Sequence, residues 1–422
     1  MSVVVVGLEH PRTPLELLER VAVPNEALAK TLGMLRDHSN LSEAVVLSTC
    51  LRTELYAVVE RFHEGVADLQ ELLAAIAGTT VEALDEHVIV LFDDDVTVHL
   101  FEVAAGLRSV ALGETEVLGQ VRRAAERAES DRASGPVLAG LFRRAVQAGR
   151  KVRSSTEIAR GPTSLPHVAV DLAGSNLGGS LVGKRVVVVG AGETAEGVLD
   201  ALKERGVEEI VVANRTTARA KSLAVRAGGR AVGLLALPRV LADADAVIVT
   251  TGASMPLLDA SQLEKATART NAHDRNLVVI DMGMPRNVHP SASALENVML
   301  FDMEDLSSHA ELALIGRQGE LTAAHQVVLQ EVERYRANER ARSAAPVVSA
   351  LRQRLDELLR AELVRHRSRL AGLDEQQRQV VEAVARDVLA KLAHPPTVVL
   401  KEAAGTPRGE RLVEALRTLF DL

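Results

Sequence analysis

Between residues 183 and 285 the chain alternates short apolar runs with helical patterns, and no other feature constrains its fold so tightly. Arg185–Val189 is an apolar run ending in Gly190. A helical pattern follows to about Arg205, where Gly206 is a stop signal. Glu209–Ala213, Ala246–Thr250 and Leu277–Asp281 are further runs without polar alternation. Strands covered by helices on both faces read this way, because neither face meets water. The segment is expected to form a doubly wound parallel sheet of Rossmann type.

The first turn of that segment points to a ligand. Gly190-Ala191-Gly192-Glu193-Thr194-Ala195 follows a strand and opens a helix, in the form G-x-G-x-x-A. Gly190 permits the tight turn, Gly192 lets the backbone approach a pyrophosphate, and Ala195 lets helix pack on strand. The helix N-terminus faces the phosphates. A structural glycine turn is the plainer alternative. At the end of the second strand an NAD site usually carries an acid for the ribose hydroxyl. Here Asn214-Arg215-Thr216 stands instead. Arg215 suits a 2′-phosphate, with hydrogen bonds from Asn214 and Thr216, so NADPH is expected over NADH.

The rest of the chain has a different texture. Its 422 residues suggest two to four domains at roughly 100–200 residues each. In the first 160 residues, Val3–Val6 (closed by Gly7), Val45–Ser48 and the alternating Thr53–Val59 read as strands, with Thr49–Arg52 a tight connection. Val96, Leu100, Val103 and Leu107 mark one helix face. Gly135-Pro136 breaks the pattern before a helix over 137–156. From about Leu306 the chain turns helical. Leu351, Leu355, Leu358 and Leu359 form one stripe, and Val380, Val384, Val388 and Leu392 another, which Pro395-Pro396 is expected to end. A last short amphipathic helix carries Leu412, Leu416, Leu419 and Phe420. Such narrow stripes want a partner, in this chain or in a second copy.

Cys50 is the only cysteine, so no internal disulfide can form and a reducing compartment is expected. The N-terminus shows no secretory pattern, and no apolar run nears the ~18–20 residues of a membrane span. The chain therefore reads as cytoplasmic and soluble. A lone cysteine is usually a small buried hydrophobe. Cys50, however, lies at a strand end within Ser48-Thr49-Cys50-Leu51-Arg52-Thr53-Glu54, and Arg52 is expected to lower its thiol pKa. The histidines are scattered without metal-ligand spacing, so no metal is implied.

The motif around Cys50 resembles the S-T-C-N-R-T-E-x-Y signature of the glutamyl-tRNA reductase family. The match continues in order. His99-Leu100-Phe101 with Val103–Leu107 resembles H-L-F-x-V-A-A-G-L, and Leu112-Gly113-Glu114 with Leu118–Val121 resembles L-G-E-x-x-I-L-G-Q-V. Gly190–Glu193 and Ala213–Thr216 resemble G-A-G-E and A-N-R-T. The resemblance runs from Gly7 to the final helix.

This resemblance implies an α/β multidomain protein. Its parts would be an N-terminal α+β catalytic domain (1–156), a Rossmann-type NADP-binding domain (157–304) and an all-α dimerisation domain (305–422). It implies reduction of glutamyl-tRNA to glutamate-1-semialdehyde, the first step of the five-carbon route to 5-aminolevulinate and tetrapyrroles. Cys50 would be the nucleophile that carries the glutamyl thioester, with His99 supporting activity. Thr49, Leu51, Arg52, Ser109, Glu114, Thr115, Glu116 and Gln120 would bind the glutamyl group, Arg52 reading a carboxylate and Glu114 the ammonium. Residues 190–195 would bind NADPH. A homodimer follows, as does a partnership with glutamate-1-semialdehyde aminomutase.

Five positions depart from the family pattern. Glu9 stands where Asn is common, Leu51 where Asn is usual, Arg108 for Asp, and Thr115-Glu116 for Pro-Gln. The formal net charge of −8 and the absence of Trp leave any RNA contact to local basic patches. One lies between residues 141 and 160, where Arg143, Arg144, Arg150, Lys151, Arg153 and Arg160 face Glu157 alone, with Arg122, Arg123 and Arg127 in the preceding helix. Two other readings compete. One is an NADP-dependent oxidoreductase of shikimate-dehydrogenase type, which shares A-N-R-T. The other is a catalytically impaired paralogue, for which Leu51 is the hint.

Overall fold

The computed structural model describes residues 2–422 apart from 115, 159–163, 254, 269–275, 315–316 and 405, and not the side chains of 313–314, 341, 343–344, 401, 407 and 410. It forms two compact units, residues 1–329 and 330–422. The first unit contains two sheets, and its N-terminal sheet carries the cysteine.

That sheet comprises β1 (Ser2–Glu9), β2 (Leu41–Ser48), β3 (Arg52–Val59) and β4 (Val88–Phe92). Its order is β2-β3-β1-β4, all antiparallel. Helices α1 (Leu15–Val21) and α3 (Phe62–Ala77) pack on β1 and β3, and α2 (Asn25–Asp37) on β2. Helices α4 (Asp94–Ala105), α5 (Glu116–Ser130) and α6 (Pro136–Ser155) pack together and against the sheet.

β3 was expected to alternate between core and solvent. Every one of its residues is buried, because it is an inner strand. Its polar residues must therefore find partners inside. Arg52, Glu54 and Tyr56 share one face at i, i+2 and i+4, and they pair with one another. Gly7 does not close β1. The strand runs on to Glu9, and Gly7 lies opposite Glu54, where a Cβ would come within 2.9 Å of the Glu54 side chain.

After α7 (Leu165–Asn176) the second sheet begins with β5 (Arg185–Val189), α8 (Glu193–Glu204), β6 (Glu209–Asn214), α9 (Thr217–Ala227) and β7 (Arg230–Gly233). It continues with α10 (Leu237–Leu241), β8 (Ala246–Val249), α11 (Ala260–Thr267), β9 (Leu277–Asp281) and β10 (Val298–Phe301). All strands are parallel, in the order β10-β9-β8-β5-β6-β7, so the doubly wound sheet is borne out. The edge strands β7 and β10 escaped the sequence reading because they are short and largely half-exposed. The order reverses between β5 and β8, which opens a crevice above Gly190.

Helix α12 (Met303–Leu314) leads into α13 (Gln318–Arg365), α14 (Arg367–Leu370), α15 (Glu375–Ala403) and α16 (Pro407–Phe420). Pro395-Pro396 does not end its helix. α15 runs through both prolines, and the buried Thr397 hydroxyl donates to Ala393 O at 2.8 Å beside the missing amide donors. Val347, Val348, Leu400 and Ala404 form a small core with α16. Val380, Val384, Val388 and Leu392 stay exposed along α15. Among the described residues no helix is long and apolar enough to cross a membrane.

Candidate active site

The turn between β2 and β3 sets Cys50 in place. Thr49 N donates to Arg52 O at 2.8 Å and Leu51 N to Thr49 Oγ1 at 3.3 Å. From the side, His10 N donates to Leu51 O at 3.0 Å. Cys50 lines a cleft of about 250 Å³ together with Thr49, Leu51, Ser109, Glu114 and Gln120. These positions are far apart in sequence, and the fold brings them to one opening. The Thr49 and Leu51 amides are engaged within the turn, which leaves the Cys50 amide as the turn's donor toward the sulfur.

Arg52 also lines the cleft, but its guanidinium is held from behind. Nη1 donates to Glu9 Oε2 at 3.0 Å and to Glu54 Oε1 at 2.8 Å, and Nη2 donates to Arg108 O. Tyr56 donates to Glu54 Oε2 at 2.7 Å, and His99 Nε2 meets Glu54 Oε1 at 2.9 Å. Burial opposes ionisation of Glu54, but His99 and Arg52 outweigh it and hold the carboxyl well below the usual range. His99 is fully buried, and it is not on the cleft wall. Its Nδ1 has no hydrogen-bond partner among the described residues. Glu9, Glu54 and His99 bring ligand atoms within 4.8 Å of one another, and Arg52 supplies positive charge to both carboxylates.

The thiol does not follow the expected shift. Burial pushes the Cys50 thiol up to about 12, and Glu114 and Glu116 push the same way. Arg52 acts in the other direction but less strongly. Burial and Glu116 also raise Glu114, to about 7, against a hydrogen bond from Ser109. Arg153 Nη2 donates to Glu114 O, so this arginine braces a residue of the wall from outside the cleft lining.

Glu116, the first residue of α5, does not line the cleft. Burial raises its carboxyl, with Glu193 of the glycine turn adding repulsion. Arg123 Nη2 lies 3.4 Å from Glu193, so α5 faces the dinucleotide turn. Thr115 lies outside the described residues, as does Arg160. Ser307 and Glu311 of α12 reach the cleft beside His10. The sequence reading missed them because nothing in their spacing links them to Cys50.

The crevice above β5 fits a dinucleotide. Gly190 has φ +130°, and a Cβ there would strike Thr250. A Cβ on Gly192 would meet nothing within 4 Å, which leaves its backbone open to approach. Ala195 is fully buried on the inner side of α8. Ala191, Glu193 and Thr194 complete the turn over the crevice. Gly190 N donates to Ala213 O at 2.9 Å, so the end of β6 sits beside the turn. There Asn214 Nδ2 donates to Thr216 O at 3.2 Å, and Arg215 is exposed.

Comparison with known proteins covers the whole chain. The family model for the N-terminal domain of glutamyl-tRNAGlu reductase matches residues 6–156, and that for its dimerisation domain matches 323–422. Between them, the shikimate/quinate 5-dehydrogenase model matches 171–309. A glutamyl-tRNA reductase of Frankia alni is 38% identical, covering 100% of this chain and 96% of the relative. The solved glutamyl-tRNA reductase of Methanopyrus kandleri is 29% identical with a TM-score of 0.50, covering 100% of this chain and 99% of that one.

Proposed function

The chain belongs to the glutamyl-tRNA reductase family, and from that premise we propose that Cys50 is the residue that takes the glutamyl group from its tRNA. The shikimate-dehydrogenase likeness covers only the middle of the chain, so it describes the dinucleotide fold and not the whole protein. The carrying observation is the convergence of Thr49, Cys50, Ser109, Glu114 and Gln120 on one cleft.

Cys50 as thiolate attacks the ester carbonyl. The bond to the tRNA 3′ oxygen breaks, that oxygen takes a proton, and the acyl group remains on sulfur. The Cys50 amide supports the developing oxyanion. Glu114 accepts from the substrate ammonium, and this pairing offsets one of the charges that oppose the thiolate. A nicotinamide dinucleotide, when bound, would supply hydride to the acyl carbon. Cys50 then leaves that carbon as thiolate as the C–S bond breaks, and the aldehyde is released. Arg52, fixed by Glu9 and Glu54, presents its charge at the cleft wall for the glutamyl carboxylate. His99 acts through Glu54 and is a positioning residue.

Arg215, with Asn214 and Thr216, supports NADPH as the donor, since no carboxylate caps β6. For the tRNA, the exposed face of α6 carries Arg143, Arg144, Arg150 and Lys151 without an acidic partner among the described residues. The neighbouring Arg122, Arg123 and Arg127 are paired with Glu126, Glu193 and Asp131, so they add less. A second copy joins through residues 305–422, with the exposed α15 stripe available to it. The functional parts are taken as 1–156, 157–304 and 305–422. A nucleophile that must stay reduced suits the cytoplasm. The released aldehyde is a natural delivery to glutamate-1-semialdehyde aminomutase, and protection from an aldehyde trap when both enzymes are mixed tests that.

The deciding experiment supplies glutamyl-tRNA and NADPH and measures semialdehyde, with Cys50→Ser and Leu51→Asn beside the wild type. Product that needs Cys50 supports the reading, and tight binding without turnover overturns it. Arg215→Glu tests the cofactor. An unchanged NADPH-to-NADH preference would remove Arg215 from the site.

A further inference from the structure

Glu19 of α1 and Arg286 of the loop after β9 join the two sheets of the first unit. Arg286 N and Nε both donate to Glu19 Oε1, at 2.8 and 2.9 Å. Nη2 donates to Glu19 Oε2 at 3.3 Å and to Glu16 Oε1 at 3.0 Å. The side chains of Arg286 and Glu19 are only 22% and 16% exposed. A carboxylate gripped by a main-chain amide and a guanidinium fork is directional, unlike a single surface contact.

Both ends of this clamp are anchored. The loop carrying Arg286 wraps the buried Asp281 carboxylate, which accepts from Gly283 N at 2.9 Å, Asn287 N at 2.6 Å and Val288 N at 2.7 Å. Asn287 Nδ2 donates to Ala253 O at 3.1 Å, and Thr251 Oγ1 donates to Asn287 Oδ1. The loops after β8 and β9 are thus tied to each other, and the first of them, at Thr250, borders the crevice beside Gly190. At the other end, the buried Leu15, Leu18 and Val21 seat α1 on the first sheet. Just beyond α1, Val23 N donates to Ser48 Oγ at 2.9 Å, two residues before Cys50.

We infer that the Arg286–Glu19 clamp positions the crevice loops against the Cys50 turn for the reduction step. The ligand side of a doubly wound sheet lies at the carboxyl ends of its strands, so these loops border the nicotinamide half of a dinucleotide. The groups assigned to acylation, Cys50, Arg52 and Glu114, all lie within residues 1–156, although Ser307 and Glu311 of α12 also line the cleft. Reduction needs in addition the hydride donor held at the acyl carbon, so it depends more steeply on how the two sheets are docked. Arg286 and Glu19 are positioning residues and touch neither substrate.

The inference rests on Cys50 being the acyl acceptor, and the test separates the two. Full-length wild type, Glu19→Gln and Arg286→Lys are mixed with radiolabelled glutamyl-tRNA without NADPH, and label retained on the protein is followed. NADPH is then added to the labelled protein and semialdehyde formation in one turnover is timed. Acylation is expected to stay close to wild type, while reduction slows about tenfold to a hundredfold. Reduction at the wild-type rate overturns the clamp. So does an equal fall in both half-reactions, which would make the contact a general support of the fold. A wild type that retains no label overturns the acyl-acceptor reading and the clamp with it.

Discussion

Glu9 Oε1 lies 3.1 Å from Arg108 Nη1, and these are two of the positions at which the chain departs from the pattern of its family. The departures meet in space. Glu9 bridges Arg52 and Arg108, and Arg108 Nε also donates to Glu102 Oε2 at 2.8 Å. In this chain the opposite charges of Glu9 and Arg108 offset each other at the cleft rim.

Arg108→Asp alone is therefore expected to place a third carboxylate beside Glu9 and Glu102. It should raise KM for glutamyl-tRNA, and adding Glu9→Asn should restore it. Arg108 is 38% exposed, so Arg108→Ala should cost only about 0.2–1 kcal/mol in a denaturant melt. A double variant no better than Arg108→Asp alone would show that the two sites are independent.

His99→Asn should lower both stability and turnover. It leaves the buried Glu54 carboxylate short of a partner, a loss of about 2 kcal/mol or more. Because His99 is not on the cleft wall, the pH–rate profile at saturating NADPH should fall in height and keep its shape. A lost limb in that profile would instead make His99 a proton carrier.

The pH behaviour of Cys50 should depend on Glu114. With the thiol near 12, alkylation by iodoacetamide should rise steadily from pH 7 to 10 without a plateau. Glu114→Gln removes one opposing charge and should shift that rise to lower pH. Stability carries the matching sign. Glu114 has its folded pKa raised to about 7, so its contribution is fully present below the unfolded value of about 4.3 and is lost as pH rises through about 7. Glu114→Gln should therefore melt above wild type at pH 8, with a smaller gap at pH 5.

Arg143→Gln, Arg150→Gln and Lys151→Gln together should weaken tRNA binding and reduce its log–log salt slope by about 2. Arg153→Gln should act differently. It loosens the Glu114 wall and should impair acylation with little change in that slope. Equal salt slopes for all variants would exclude the α6 face as a phosphate contact.

The four inner strands of the dinucleotide sheet, β5, β6, β8 and β9, were legible from residues 183–285 alone. Buried parallel strands must be apolar throughout, and a glycine turn declares itself in a few adjacent residues. The Cys50 motif, too, lay within one short stretch. What stayed hidden was every relationship set by distance across the fold. β3 looked half-exposed until its inner position showed that Arg52, Glu54 and Tyr56 satisfy one another. Arg52 looked like the partner of the thiol, yet burial and the carboxylates of Glu114 and Glu116 outweigh it and leave Cys50 high.

The sequence by itself determined local conformation and which chemical groups are present, because propensity, period and turn chemistry act between near neighbours. Only the tertiary structure decided which charges meet, since burial and Coulomb interactions depend on separation in space. The Glu9–Arg108 pair, the Glu19–Arg286 clamp and the Ser307–His10 contact at the cleft join residues 99, 267 and 297 positions apart.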